Sequence, residues 1–343
     1  MNIQETLFSL TQAVGVSGDE FGASETACNI LKKYAPDAYV DDFGNVIGNI
    51  GKRCEGKPHV LIDAHIDEIG FIVTYITETG FLKVSGCGGL DRRLFLAQEV
   101  TVFGTKAIKG VITSTPPHLE KDNKSAPEID DIFIDIGMNK EEAEKIVSPG
   151  DRVIINSDCV RLLGDRITSK SIDDRSGVAS ILYALDKIKG KDLNASVSVL
   201  FSSQEETGER GAKTAVYDIN PDIAIAVDVS FGMTIEDDEY KCGKMGKGVM
   251  IGVAPSLSRK LSLEMIDIAK HADIPYQLEV MNGETGTNAD AFSVSRSGVK
   301  AVTLSIPLKY MHTPVEVVSL KDIEITGDLI AEYLLKVGAD NDW

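Results

Sequence analysis

The run Val60-Leu61-Ile62-Asp63-Ala64-His65-Ile66-Asp67 decides how the rest of the chain is read. A short apolar stretch ending abruptly in polar groups is the pattern of a strand buried on both faces of a sheet, and open α/β sheets place their functional groups at such strand ends. His65 and Asp67 stand two residues apart. On an extended chain they project to one side, so the carboxylate can hold the imidazole in the tautomer a metal needs. A single strand-end histidine is more often structural, and His59, His118 and His271 are assigned no role.

Upstream of this run, Ile3, Leu7, Leu10 and Val14 recur at helical spacing behind a capping Asn2 and Glu5. A second helical stretch covers about 20–34, and the turn at Asp42-Phe43-Gly44 leads into another strand. Downstream the pattern changes. Short β runs at 70–76, 81–84, 100–103, 110–113, 132–136 and 152–155 are separated by glycine and polar turns, with one helical piece at 140–146 and a proline- and charge-rich loop at 116–131. This predicts a small β-barrel or sandwich. After Asp165 strands and helices alternate again: helices at 176–188, 209–216, 261–271, 290–297 and 320–337, strands at 196–203, 222–227, 276–280 and 301–306. The expectation is an α/β sheet layered with helices, formed by residues 1–68 and 164–343, into which a β-rich segment, 69–163, is inserted.

Of 343 residues, 43% are apolar and 26% charged, the usage of a chain that folds throughout. Acidic residues outnumber basic ones 53 to 35, and the formal charge of -18 repels phosphate backbones and anionic membrane surfaces. Neither nucleic acid nor a membrane is an expected partner. The five cysteines, Cys28, Cys54, Cys87, Cys159 and Cys242, are scattered and odd in number, forming neither a disulfide framework nor a thiolate zinc site. With no leader-like start and no apolar run long enough for a membrane span, a reducing cytoplasm is the expected location.

Four further places carry metal-binding side chains. In Ser171-Ile172-Asp173-Asp174-Arg175 two carboxylates precede a helix. One aspartate there would be read as a cap; two in succession leave one free for another task, and a carboxylate has two oxygens with which to bridge cations. In Ser203-Gln204-Glu205-Glu206-Thr207-Gly208 paired glutamates follow an apolar strand. Their side chains diverge, so one can bind metal while the other faces a reacting water. The strand 223–227 ends at Asp228, and Tyr310-Met311-His312-Thr313-Pro314 carries a second histidine beyond a strand. Two histidines and three carboxylates without a thiolate suit zinc, cobalt or manganese in an open, catalytic site.

The order His-x-Asp, Asp-Asp-Arg, Glu-Glu-x-Gly, a strand-end Asp and Tyr-Met-His-Thr-Pro resembles the tetrahedral (TET) and glutamyl-type metallo-aminopeptidases. Gly44-Asn45-Val46-Ile47-Gly48 and Gly286-Thr287-Asn288-Ala289-Asp290-Ala291 resemble the same family, and the likeness runs over nearly the whole chain. It implies a mixed-sheet co-catalytic metallopeptidase domain with helices on both faces, and an inserted barrel-like domain used for dimerisation. It also implies two divalent metal ions per subunit, zinc or cobalt or else manganese. Asp173 would bridge them, with His65 and Asp228 completing one site and Glu206 and His312 the other. Glu205 falls on the general base, Asp67 on the imidazole-orienting residue, and Asp173-Asp174 on a cis peptide. The implied substrates are short oligopeptides, and the implied assembly is a dodecamer built from dimers.

Three other readings compete: a metal-dependent deacylase, a glycosidase using Glu205 or Glu206 with a partner carboxylate, and a silent scaffold stabilised by metal. The glycosidase scheme leaves His65 and His312 without work. Asp237-Asp238-Glu239-Tyr240-Lys241-Cys242 matches no pattern, although it falls where substrate selectivity would be set.

Overall fold

A computed structural model describes residues 1–51, 53, 55–114, 126–235 and 237–338. The chain opens with α1 (Ile3–Gln12), α2 (Phe21–Leu31), β1 (Tyr39–Val40), β2 (Val46–Ile50) and β3 (His59–His65). Then come β4 (Gly70–Ile76), β5 (Leu82–Cys87), β6 (Glu99–Phe103), β7 (Ala107–Ile112), β8 (Ile134–Asp135), α3 (Lys140–Ala143) and β9 (Arg152–Ile155). The second half holds β10 (Val160–Arg161), β11 (Arg166–Ser169), α4 (Ile172–Ile188), β12 (Ser196–Ser202), α5 (Arg210–Ile219), β13 (Ile223–Phe231) and β14 (Val249–Val253). It closes with α6 (Arg259–His271), β15 (Tyr276–Val280), α7 (Asn288–Ser293), β16 (Lys300–Leu308), β17 (Glu316–Ser319) and α8 (Leu320–Lys336).

One mixed eight-stranded sheet, ordered β1-β2-β12-β3-β13-β16-β14-β15, forms the centre. Strand β3 is buried along its whole length. Its residues alternate between two cores: Val60, Ile62 and Ala64 pack with the helices of one face, including α4 and α8, while Leu61 packs on the other with α5 and α7. Both faces are therefore covered by helices, which is why the strand reads as a continuous apolar run. A small sheet, β10-β11-β17, flanks the large one.

The strands β4-β5-β8-β7-β6-β9 close into a barrel, which resolves the choice between barrel and sandwich. Phe71, Val73, Leu82, Val84, Val100, Val102, Ile134 and Val153 fill its interior. The residues before and after this segment return to the large sheet and its flanking elements. Of the predicted loop 116–131, residues 116–125 lie outside the described residues, and Ile129–Asp131 form a single 3₁₀ turn.

Two strands run further than their apolar cores predict. Asp228 does not end its strand: β13 and β16 stay in parallel register from Ile223↔Lys300 to Phe231↔Leu308, with Asp228 opposite Ser305. Val229, Ile306 and Leu308 lie in the core, so apolar packing as well as the hydrogen-bond ladder carries the pair past Asp228. The helix expected at 290–297 instead spans Asn288–Ser293, its start set by the Thr287 side chain, which accepts the Ala289 N–H at 3.2 Å. Strand β14, which follows the glycine-rich stretch 243–248, escapes the periodicity reading altogether.

Candidate metal centre

His65 is the last residue of β3, and its ring is almost fully buried. Nε2 lies 2.9 Å from Asp173 Oδ1 and 4.0 Å from Asp228 Oδ1. Nδ1 faces Asp67 Oδ1 at 3.4 Å. Asp67 is wholly buried and also accepts the backbone N–H groups of Glu205, at 3.0 Å, and Glu206, at 3.2 Å. One carboxylate thus faces the imidazole and anchors the glutamate loop.

Asp173 and Asp174 part company. The peptide bond between them is cis, both have non-helical backbone angles, and regular helix follows only after them. Asp174 Oδ1 accepts the Gly177 N–H at 3.0 Å, so it takes the capping task. Gly177 must be glycine here, since a Cβ would lie 2.5 Å from that carboxylate. Asp173 is released to point the other way. Its Oδ1 meets His65, and its Oδ2 lies 3.3 Å from His312 Nε2, which is itself 3.3 Å from Glu206 Oε1.

Two groups of three side chains result, His65 with Asp173 and Asp228, and Asp173 with Glu206 and His312. Within each, the donor atoms lie within 4.8 Å of one another, so either group could hold a metal ion. Nitrogen and oxygen donors of this kind suit a borderline divalent cation. The electrostatics agree. Burial opposes the charge of Asp173, but hydrogen bonds to His312 and His65 outweigh it and hold its carboxyl below the usual range. Burial also opposes a charged His312, yet Asp173 and Glu206 push its pKa up to about 11. Asp228 is driven well above the carboxylate range, chiefly by burial and further by Asp173 and Glu205. Carboxylates crowded this closely oppose one another's charge, and positive charge at the centre of the cluster would relieve that opposition. Glu205 beside it is pushed up to about 8 by burial first and by Glu206, Asp67 and Asp173, with His65 opposing.

The supporting shell was hidden in the sequence. Glu316, on β17, is buried; its Oε2 accepts the N–H groups of Ile172, at 2.7 Å, and Asp173, at 3.1 Å, and its Oε1 accepts that of His312, at 2.9 Å. Arg175 is fully buried and donates to the carbonyls of Leu10, Ala13 and Ile66, while pairing with Glu68 at 3.2 Å. Glu68 in turn pairs with Lys170 at 2.6 Å and accepts from Ser171. The barrel contributes the glycines after β5: a Cβ on Gly89 would stand 2.8 Å from His312 Nδ1, and one on Gly88 3.0 Å from Glu206 Oε2. The chain can pass this close to the centre only without side chains.

All seven expected residues gather at the C-terminal edge of the sheet, while the other described histidines stay away. His59 sits at the opposite end of β3 and bonds Ser198 Oγ at 2.8 Å, and His271 bonds the Asp267 carbonyl on α6. His118 lies outside the described residues. Residues Glu239 to Cys242 line a cavity that also includes Val229 and Ser230, next to Asp228, and Met311, next to His312. No helix among the described residues is long and apolar enough to cross a membrane.

The model of the family described as M42 glutamyl aminopeptidase matches residues 44–329. The lysyl aminopeptidase of Pyrococcus furiosus is 32% identical over 340 residues, covering 96% of each chain. Among solved structures, an aminopeptidase from the archaeon Desulfurococcus kamchatkensis is 34% identical, with a TM-score of 0.92 over 99% of this chain and 96% of that one. The TET1 peptidase of Pyrococcus horikoshii, which can assemble into a tetrahedron or a large octahedral shell, is 34% identical, with a TM-score of 0.88 over 98% and 100%. Family model, near full-length identity and shared fold agree: this chain belongs to the M42 glutamyl aminopeptidase family.

Proposed function

We propose that the protein is a two-metal aminopeptidase that removes single residues from the free amino ends of short peptides, with Glu205 as general base. The observation that carries this reading is the position of Asp173, whose two oxygens face two separate groups of ligand atoms. His65 and Asp228 would complete one site and Glu206 and His312 the other. Zinc, cobalt or manganese held there would supply Lewis acidity for the scissile carbonyl and for the attacking water.

The chain's own part is positional and acid-base. Asp67 keeps the His65 ring turned toward Asp173 and fixes the backbone of both glutamates. Glu205, whose side chain is in neither ligand group, is the carboxylate available to take the water's proton and return it to the leaving amine. A glycosidase would use Glu205 or Glu206 with a partner carboxylate and leave both imidazoles idle, so that reading is set aside.

Assembly follows the same line. The barrel exposes Tyr75, Leu96 and Val111, apolar groups suited to a contact between copies. We read residues 69–163 as the dimerising insert of a dodecameric shell, and the cytoplasm as its location, since the four described cysteines are all free. Hydrolysis of aminoacyl anilides, abolished by a chelator and restored by zinc, cobalt or manganese, tests the activity. Turnover of N-acyl amino acids alone would turn the reading to a deacylase.

A further inference from the structure

Nothing above sets the side chain removed, and the names of relatives pull apart: the family description says glutamyl, one relative lysyl. The cavity beside the centre is more specific. It has a volume of about 780 Å³, within the range of small-ligand pockets. Phe231, Leu278, Met281 and Met311 give it apolar walls.

Glu279 reaches into this cavity from β15, and its position follows from strand register. Asp228 stands opposite Ser305 on the neighbouring strand, so their side chains share a face about 4.8 Å apart. Ser230, two residues beyond Asp228, lies on that face as well. Ser305 Oγ donates to Glu279 Oε2 at 2.6 Å, and Ser230 Oγ donates to Oε1. Gly252 on β14 is the cross-strand partner of Glu279, and the space a Cβ there would fill is taken by Thr303 Oγ1. The carboxylate is therefore held by the cross-strand partner of Asp228 and by the next residue on its face, beside the candidate metal centre.

Two hydroxyls donating to two oxygens is the pattern an ionised carboxylate accepts. Burial works against that charge, and the serines are the only groups that oppose burial. No described Lys, Arg or His acts on it. The cavity's lysines lie near the rim and have partners of their own, Lys241 with Asp238 at 2.8 Å and Lys244 with Glu239 at 3.5 Å. A desolvated carboxylate without a cation is costly, and a cation that reaches it recovers that cost.

We infer that this cavity receives the side chain of the peptide's first residue and that Glu279 selects a long, basic one, lysine or arginine. The apolar walls take the methylenes, and Glu279 takes the ammonium or guanidinium. An acidic side chain would meet the same carboxylate and be rejected. The inference rests on the aminopeptidase reading and adds its substrate class.

The test compares p-nitroanilides of lysine, arginine, norleucine and glutamate, with the metal-supplied full chain. Norleucine keeps lysine's length and lacks only the ammonium. The lysyl substrate is expected to exceed the norleucyl one in kcat/KM by about 10- to 100-fold, as for a hydrogen bond to a charged group. In Glu279→Gln that ratio is expected to collapse toward one. A norleucyl or glutamyl preference in the wild type overturns the assignment and leaves the aminopeptidase intact. Failure to cleave any anilide overturns both. If Glu279→Gln does not fold, as circular dichroism would show, the wild-type lysine-to-norleucine ratio still decides. A folded Glu279→Gln protein with an unchanged ratio removes Glu279 from the role.

Discussion

Asp67 accepts the backbone N–H of Glu205 through Oδ1 at 3.0 Å, and the same oxygen lies 3.4 Å from His65 Nδ1. The imidazole of one candidate metal site and the loop bearing the proposed base thus share one anchor. Asp67→Asn would keep the size of the group but make it a weaker acceptor. Metal affinity is expected to fall about 10- to 100-fold, the usual cost of losing an outer-shell partner. Metal titration followed by calorimetry checks it; wild-type affinity in the variant would remove Asp67 from the orienting role.

Glu205→Gln and Glu206→Gln separate two neighbouring residues by their chemistry. The first is expected to retain metal and fold yet lose turnover by roughly 10²- to 10⁴-fold, the contribution of a general base. The second weakens coordination, so excess metal should rescue part of its loss. Elemental analysis beside peptide hydrolysis decides: a metal-depleted Glu205→Gln with a metal-replete, inactive Glu206→Gln would exchange the roles.

Glu68 predicts a pH dependence of stability. Burial would raise its pKa, but Lys170 and Arg175 overcome this and hold it down at about 2. Below its ordinary value of 4.5 the unfolded chain takes up a proton that the folded chain refuses. The stabilisation is therefore complete above about pH 4.5 and is lost as pH falls toward 2. Glu68→Gln strands two buried cations and is expected to cost about 3–5 kcal/mol at pH 7. Urea denaturation at pH 7 and pH 3 should show that deficit shrinking in acid; a deficit equal at both would count against the ion-pair account.

Light scattering on the metal-supplied protein is expected to return the mass of twelve subunits, and introducing a charge at Val111 to shift it toward smaller species. A wild-type monomer would sink the assembly proposal.

The α/β class and the β-rich interruption were legible because burial imposes its period on the chain. Val60 to His65 is apolar throughout because both faces of β3 are covered. The candidate ligands were legible for a related reason: functional carboxylates and imidazoles at strand ends interrupt apolar runs and so stand out. Asp228 shows the limit, since a single polar residue breaks the apolar run although the strand continues past it through buried Val229 to Phe231.

The roles of Glu316, Arg175 and Glu279 were not legible. Each is a charged residue of the kind usually found in water, and each gains its role from groups distant in sequence. Glu316 draws in backbone from 143 and 144 positions earlier as well as from nearby His312, and Glu279 meets serines 49 and 26 positions away. The sequence by itself determined the sheet, the inserted β segment and which side chains could bind metal, because strand periodicity and donor chemistry are local properties. Only the tertiary structure decided which buried charges hold those donors and which carboxylate lines the neighbouring cavity, because burial in low dielectric and strand register arise only when distant segments pack.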